Sequence, residues 1–259
     1  MLGTRLGLAA ACVAGTVALA AVTGSSLAMS SAGFTGPGGP ECGNTWGHYS
    51  GCDWPEFHLN ADLTGYTTHT TLSTAKASTL GVKWANNLQS AALDSPVVAY
   101  DPIRGLNLAY IGTESGDFEA VDVATGQTVW SDFLGSAIRT TPMVVDGWVY
   151  AGTFNTSTIY KMNADTGVIG CSYIAPMPIE GTPIVATPPG GVQTLYVGTN
   201  DSTNKNGPEV AMTTSNCKKD FLYNGFPIKA GSWDAVGYAV TAGGTPLVIF
   251  GTADPDSAV

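Results

Sequence analysis

The chain has 259 residues, 44% apolar and only 12% charged, and its 20 acidic against 10 basic residues give a formal net charge of −10. That balance argues against nucleic acid or an anionic membrane surface as a partner and suits an exported protein. The 33 glycines, with abundant Thr and Val, point to an all-β fold with many tight turns.

The first predicted element is a targeting segment over residues 1–32. Arg5 supplies its positive end, Leu6–Val22 is an apolar run of 17 residues, and small residues then offer cleavage near Ala28 or Ala32. The run stands at the short limit for a membrane anchor, so no stable span is expected after cleavage. Residues 33–52 read as a Gly/Pro-rich linker containing Cys42 and Cys52. His48, His58 and His69 follow at spacings of 10 and 11, which match no zinc motif. Leu80–Trp84 is predicted to be a strand ending on a large apolar side chain.

From there the sequence repeats itself. Ser95-Pro96-Val97-Val98 leads to Tyr110-Ile111-Gly112-Thr113, Thr141-Pro142-Met143-Val144 to Tyr150-Ala151-Gly152-Thr153, and Thr182-Pro183-Ile184-Val185 to Tyr196-Val197-Gly198-Thr199. A fourth copy runs from Gly237-Tyr238 to Phe250-Gly251-Thr252. The anchors Tyr110, Tyr150 and Tyr196 lie 40 and 46 residues apart, and Phe250 follows 54 later. Such periods, with several short strands per unit, are the signature of propeller blades. The first unit carries the fullest motif, Ala120-x-Asp122-x-x-Thr125-Gly126-x-x-x-Trp130. Asp122 can accept backbone N–H bonds in the turn, Gly126 can take its left-handed backbone, and Trp130 sits on the return strand. In the second unit Lys161, Asn163 and Cys171 stand for the Ala, Asp and Trp, and in the third only Ala211 survives.

These repeats resemble the pyrroloquinoline-quinone (PQQ) repeat of quinoprotein-dehydrogenase-like propellers, over roughly Trp54 to the C-terminus. The resemblance implies four-stranded antiparallel blades at about 95–134, 141–173, 182–222 and an incomplete 233–259. It also implies that Trp84 and Trp130 dock one blade on the next, and that about three and a half blades of a seven- or eight-bladed ring are represented. On that reading the sequence is a fragment and the Trp84 strand completes a last blade. Of the five cysteines, Cys12 lies in the targeting segment; the four that remain in an exported chain suggest two disulfides, and of three connectivities the expected one is Cys42–Cys52 with Cys171–Cys217 linking neighbouring blades. The alternative leaves Cys171 and Cys217 as buried thiols.

Candidate chemistry is sparse. Asn200 and Asp201 open an oxygen-rich loop that could hold Ca²⁺, as could Asp254 and Asp256, but neither fits the helix–loop–helix calcium pattern, and solvated turns are the simpler reading. No Gly-x-Ser-x-Gly elbow occurs. Gly112, Gly152, Gly198 and Gly251 read as sites of close backbone packing. Trp46, Trp54, Trp148 and Trp233 could line a ligand surface, although packing is the commoner role. By the resemblance, bound PQQ needs a ligated Ca²⁺, an aromatic or disulfide stack and an acidic base, and the adjacent cysteines of the quinoprotein alcohol dehydrogenases are missing here. The leading expectation is therefore a secreted scaffold that binds a protein or a small-molecule or carbohydrate ligand. The alternative is a PQQ-dependent dehydrogenase of alcohols or sugars.

Overall fold

The computed structural model describes residues 53–67, 73–200, 207–223 and 232–251. Strands β1 (Val97–Asp101), β2 (Leu106–Gly112), β3 (Asp117–Asp122) and β4 (Thr128–Phe133) form an antiparallel sheet in chain order. The arrangement recurs in β5 (Met143–Val145), β6 (Trp148–Gly152), β7 (Thr158–Asn163) and β8 (Ile169–Ile174), and again in β9 (Ile184–Ala186), β10 (Thr194–Val197), β11 (Glu209–Thr213) and β12 (Lys218–Tyr223). A two-stranded sheet of β13 (Gly237–Val240) and β14 (Pro246–Ile249) follows. These sheets are blades 1 to 4. The one helix among the described residues, α1 (Thr74–Ala77), is a single turn in which the Ser73 hydroxyl caps the Lys76 N–H.

The first strands of successive blades touch, β1 with β5, β5 with β9 and β9 with β13. The sheets therefore fan around an axis with their first strands innermost. The outermost strands β4 and β8 expose apolar side chains such as Phe133 and Ile174. The hydrophobic core lies between the blades. One cluster joins Leu108, Tyr110 and Phe118 of blade 1 to Val144, Val149 and Met162 of blade 2. A second joins Tyr150 and Ile159 to Leu195, Val210 and Met212, and a third joins Ile184 and Tyr196 to Val236. Burial of this kind is the main force holding one blade to the next.

Each complete blade has a one-residue register shift between its third and fourth strands, at Ala120/Val121, Lys161/Met162 and Ala211/Met212. A bulge there turns the outer hairpin of each blade by the same amount.

The innermost strands present free edges towards the axis, and the segment from Asp53 onward covers several of them. Trp54 exchanges backbone hydrogen bonds of 2.7 and 2.8 Å with Val98 of β1, the Pro55 carbonyl accepts from Val144 of β5, and the Ala61 carbonyl accepts from Tyr238 of β13. The channel edge of the arc is thus satisfied by the chain itself. Among the described residues no helix is long and apolar enough to cross a membrane.

One sequence expectation is corrected. Leu80–Trp84 belongs to no sheet, and Leu80 and Val82 are exposed. The β-propensity of the run is not enough without a neighbouring strand to complete its ladder.

Candidate functional site

The motif residues build contacts between blades. In blade 1 the Asp122 carboxylate accepts from the Ala124 N–H and the Thr125 hydroxyl at 2.9 and 2.7 Å, and Gly126 closes the turn at φ +76°. The Trp84 ring lies where a Gly126 side chain would be, and its Nε1–H donates to the Val123 carbonyl at 2.8 Å. In blade 2 the Asn163 side chain takes the part of Asp122, and Gly167 that of Gly126 at φ +77°. The Trp130 ring covers Gly167 and its Nε1–H donates to the Ala164 carbonyl at 3.0 Å. In blade 3 the turn position is Cys217, also with a left-handed backbone at φ +54°. Cys171 stands on β8 where Trp130 stands on β4, and it is bonded to Cys217, with 5.9 Å between Cα atoms. The carbonyl equivalent to those of Val123 and Ala164 is that of Thr214, and it accepts from the Lys161 ammonium at 2.7 Å. A covalent bond and a buried lysine thus replace the indole. Lys161 also sits 4.2 Å over the Trp148 ring, a cation–π contact.

A second set of residues lies at one end of the blades, where the second-to-third strand loops and the blade-to-blade linkers meet. Arg139, in the linker into blade 2, donates from Nε and Nη2 to both carboxylate oxygens of Glu114 at 2.8 and 3.0 Å. Its Nη1 donates to Glu180 at 3.1 Å, and its guanidinium stacks 4.2 Å above the Phe154 ring. The other oxygen of Glu180 accepts from the Asn200 amide. The chain Glu114–Arg139–Glu180–Asn200 therefore runs across three blades. The Arg139 hydrogen bond holds the Glu114 carboxyl below its ordinary value, and the Glu114 hydrogen bond in turn raises Arg139. Three of the five guanidinium N–H groups are used by carboxylates, leaving two in a fixed fork. In the repeat Arg139 and Glu180 share one position, three residues before a Pro. Trp233 holds it in the linker into blade 4 and is 58% exposed.

Beneath this end, each seam carries a glycine of the second strand against the next linker. A side chain at Gly112 would strike Ile138, one at Gly152 would strike Ile179, and one at Gly198 would strike Ser232. The strand residues opposite Gly112 and Gly152 are Phe118 and Ile159. The register of Val197 with Val210 sets Glu209 opposite Gly198. Glu209 and Ser232 are buried at 5% and 0% exposure, and neither carboxylate oxygen nor the hydroxyl has a hydrogen-bond partner. Burial pushes the Glu209 carboxyl up to about 7, and the nearby Ser232 hydroxyl pulls against it. Asp94, ahead of blade 1, is likewise raised by burial to about 7, with the Gly112 backbone pulling it down.

Of the residues singled out in the sequence, Ala120 is fully buried under Trp130, its partner across β3 and β4. Asn200 is 3% exposed and spends its amide on Glu180. Asp201, Asp254, Asp256, Cys42, Cys52, His48, His69 and Trp46 lie outside the described residues. The His58 ring stacks on Phe57 at 4.1 Å, which is a packing contact. Among the described residues no three His, Cys, Asp or Glu side chains stand together as a metal set. Sequence reading missed Glu114, Arg139 and Glu180. The available signal was positional, since Glu114 and Asn200 both follow a Gly-Thr anchor and Arg139, Glu180 and Trp233 align in the linkers.

No protein-family profile and no curated protein sequence matches the chain. Solved structures do. A quinohemoprotein alcohol dehydrogenase from Pseudomonas putida HK5 overlays with a TM-score of 0.59 at 17% identity, over 73% of this chain and 33% of that one. A europium-containing methanol dehydrogenase gives 0.51 at 16% identity, over 70% and 32%. BamB from Moraxella catarrhalis gives 0.40 at 21% identity, over 53% and 38%. The chain spans about a third of the length of the two dehydrogenases, and at these identities the likeness is one of fold. This chain is an all-β propeller of four-stranded antiparallel blades, the fold it shares with those dehydrogenases.

Proposed function

We propose that the protein is a secreted propeller of the PQQ-repeat kind that binds its partner without transforming it, and that the partner is a hydroxyl-rich ligand of the carbohydrate class. The observation that supports this most is the chain Glu114–Arg139–Glu180–Asn200 with the exposed Trp233 at the next equivalent position. Fixed carboxylates, an amide and spare guanidinium donors suit vicinal hydroxyls, while an indole face suits the C–H face of a sugar ring. The side chains are held by one another and by Phe154, so little ordering remains for the ligand to impose. Secretion is supported by the sequence pattern of residues 1–32, a positive end followed by an apolar run and small residues. Glycan-array binding followed by calorimetry on the full chain tests the reading. Arg139→Ala and Trp233→Ala should each weaken binding by about tenfold or more, with the melting temperature unchanged in Trp233→Ala. Glycan binding that survives both changes would remove the ligand from this end of the blades.

The dehydrogenase reading has one observation in its favour, the Asp94 carboxyl, which burial raises to about 7. The described residues do not fit bound PQQ with Ca²⁺. They offer no three-residue metal set, and the Cys171–Cys217 bond stands at the outer dock of blades 2 and 3, remote from the innermost strands. No catalytic step is derived through that cofactor. Given PQQ and Ca²⁺, a dehydrogenase would reduce an artificial acceptor in the presence of alcohols or aldoses. The binding reading expects no reduction and no calorimetric uptake of PQQ.

A further inference from the structure

We propose that the contact between blades 3 and 4 is a pH-sensitive seam, closed while the Glu209 carboxyl is protonated and loosened when it ionises. The same seam position is Phe118 against Ile138 between blades 1 and 2, and Ile159 against Ile179 between blades 2 and 3. Among the three seams of the described residues, it becomes a carboxyl against a hydroxyl between blades 3 and 4. Both groups are buried and without hydrogen-bond partners. A neutral carboxylic acid is tolerable in such a place, whereas an ionised carboxylate without a countercharge is strongly disfavoured.

The surrounding elements supply no compensating charge among the described residues. On β10 and β13 the titratable groups are the stacked phenols Tyr196 and Tyr238, both raised above their ordinary value by burial. On β12 there are Asp220, which acts on Tyr196, and Lys218 and Lys219, which pair with Thr213 and Met212 at the opposite end of β11 from Glu209. In the linkers, Glu180 is committed to Arg139 and Asn200, and the Asp234 carboxylate lies against Gly251. Burial and the Ser232 hydroxyl are the influences on Glu209 itself.

The sign follows from linkage. The carboxyl is raised from 4.5 to about 7 in the folded seam, so the folded state holds the proton more tightly than the open one. Its contribution is complete below about 4.5, falls as pH rises, and is lost through about 7. The main backbone link at risk is the Ser232 N–H to the Thr199 carbonyl at 3.1 Å. Because Trp233 and Asn200 are the next residues on each side, opening would also displace part of the proposed binding face. The seam itself stands independently of that reading.

Hydrogen exchange by mass spectrometry on the full chain between pH 5 and pH 8, corrected for intrinsic rates, tests it. Opening at Gly237–Val240 should rise on the order of a hundredfold across that range. Glu209→Gln should flatten the rise, and Glu56→Gln should leave it in place. A flat wild-type profile, or the same rise in Glu209→Gln, overturns the proposal. If Glu209→Gln does not fold, the pair Glu209→Ile with Ser232→Ile copies the seam between blades 2 and 3. That variant should exchange slowly at every pH, and a wild-type rise in it also overturns the proposal.

Discussion

Between blades 1 and 2, Phe118 and Ile138 meet over Gly112, and Trp130 closes the outer edge on Gly167. Between blades 3 and 4, Glu209 and Ser232 meet over Gly198 at the same repeat positions. One seam is a dry apolar joint of the kind that repeat architectures need for cohesion. The other buries polar groups that contribute nothing to cohesion while unpartnered. A repeat therefore lets one position serve stability in one copy and be released for another role in the next.

The largest expected effect breaks the first seam. Gly167→Val would drive a branched side chain into the Trp130 ring at a left-handed backbone position, and should destabilise the fold by about 4 kcal/mol in urea unfolding. Next, Ile138→Ser imposes the polar chemistry of the third seam on the first and should cost about 3 kcal/mol, read as a lower urea midpoint with unchanged slope. Replacing Cys171 and Cys217 together by Ser should cost about 2–4 kcal/mol, because the bond spans 46 residues and no indole stands in its place. An equal stability with and without reductant would contradict that assignment.

The pH profile sharpens the comparison more gently. Glu56, raised to about 8 by burial and secondarily by Asp62, has the same sign as Asp94 and Glu209. All three favour the folded state at acidic pH and lose that contribution as pH rises through about 7 to 8. Melting temperature should therefore fall between pH 5.5 and pH 8.5, by on the order of ten degrees. Below that range the sign reverses, since Glu114 and Asp122 are held low by Arg139 and Thr125 and lose their partners on protonation.

The blades were legible in the sequence because their apolar strands, Gly-Thr anchors and turn glycines repeat at a near-constant period. Trp130 stood out too, since a large apolar residue four places after a turn glycine seeks burial, and its ring covers Gly167. The proposed binding face was not. Glu114, Arg139, Glu180 and Asn200 lie far apart in the chain and meet only when the blades fan around one axis. Glu209 was equally opaque. A single glutamate at a strand start reads as solvent-facing until the register places it opposite Gly198. Leu80–Trp84 failed in the opposite sense, because strand propensity says nothing about whether a pairing partner is at hand.

The two kinds of tryptophan allow the most direct test. The indole N–H groups of Trp84 and Trp130 are bonded to the Val123 and Ala164 carbonyls, while Trp233 stands exposed at the end of the blades. In a nitrogen-15 tryptophan spectrum of the full chain titrated with a panel of oligosaccharides, the Trp233 indole signal should move with a saturable ligand dependence and the Trp84 and Trp130 signals should stay fixed. A Trp233 signal that never moves, or docking indoles that shift in its place, would contradict the assignment of the binding face.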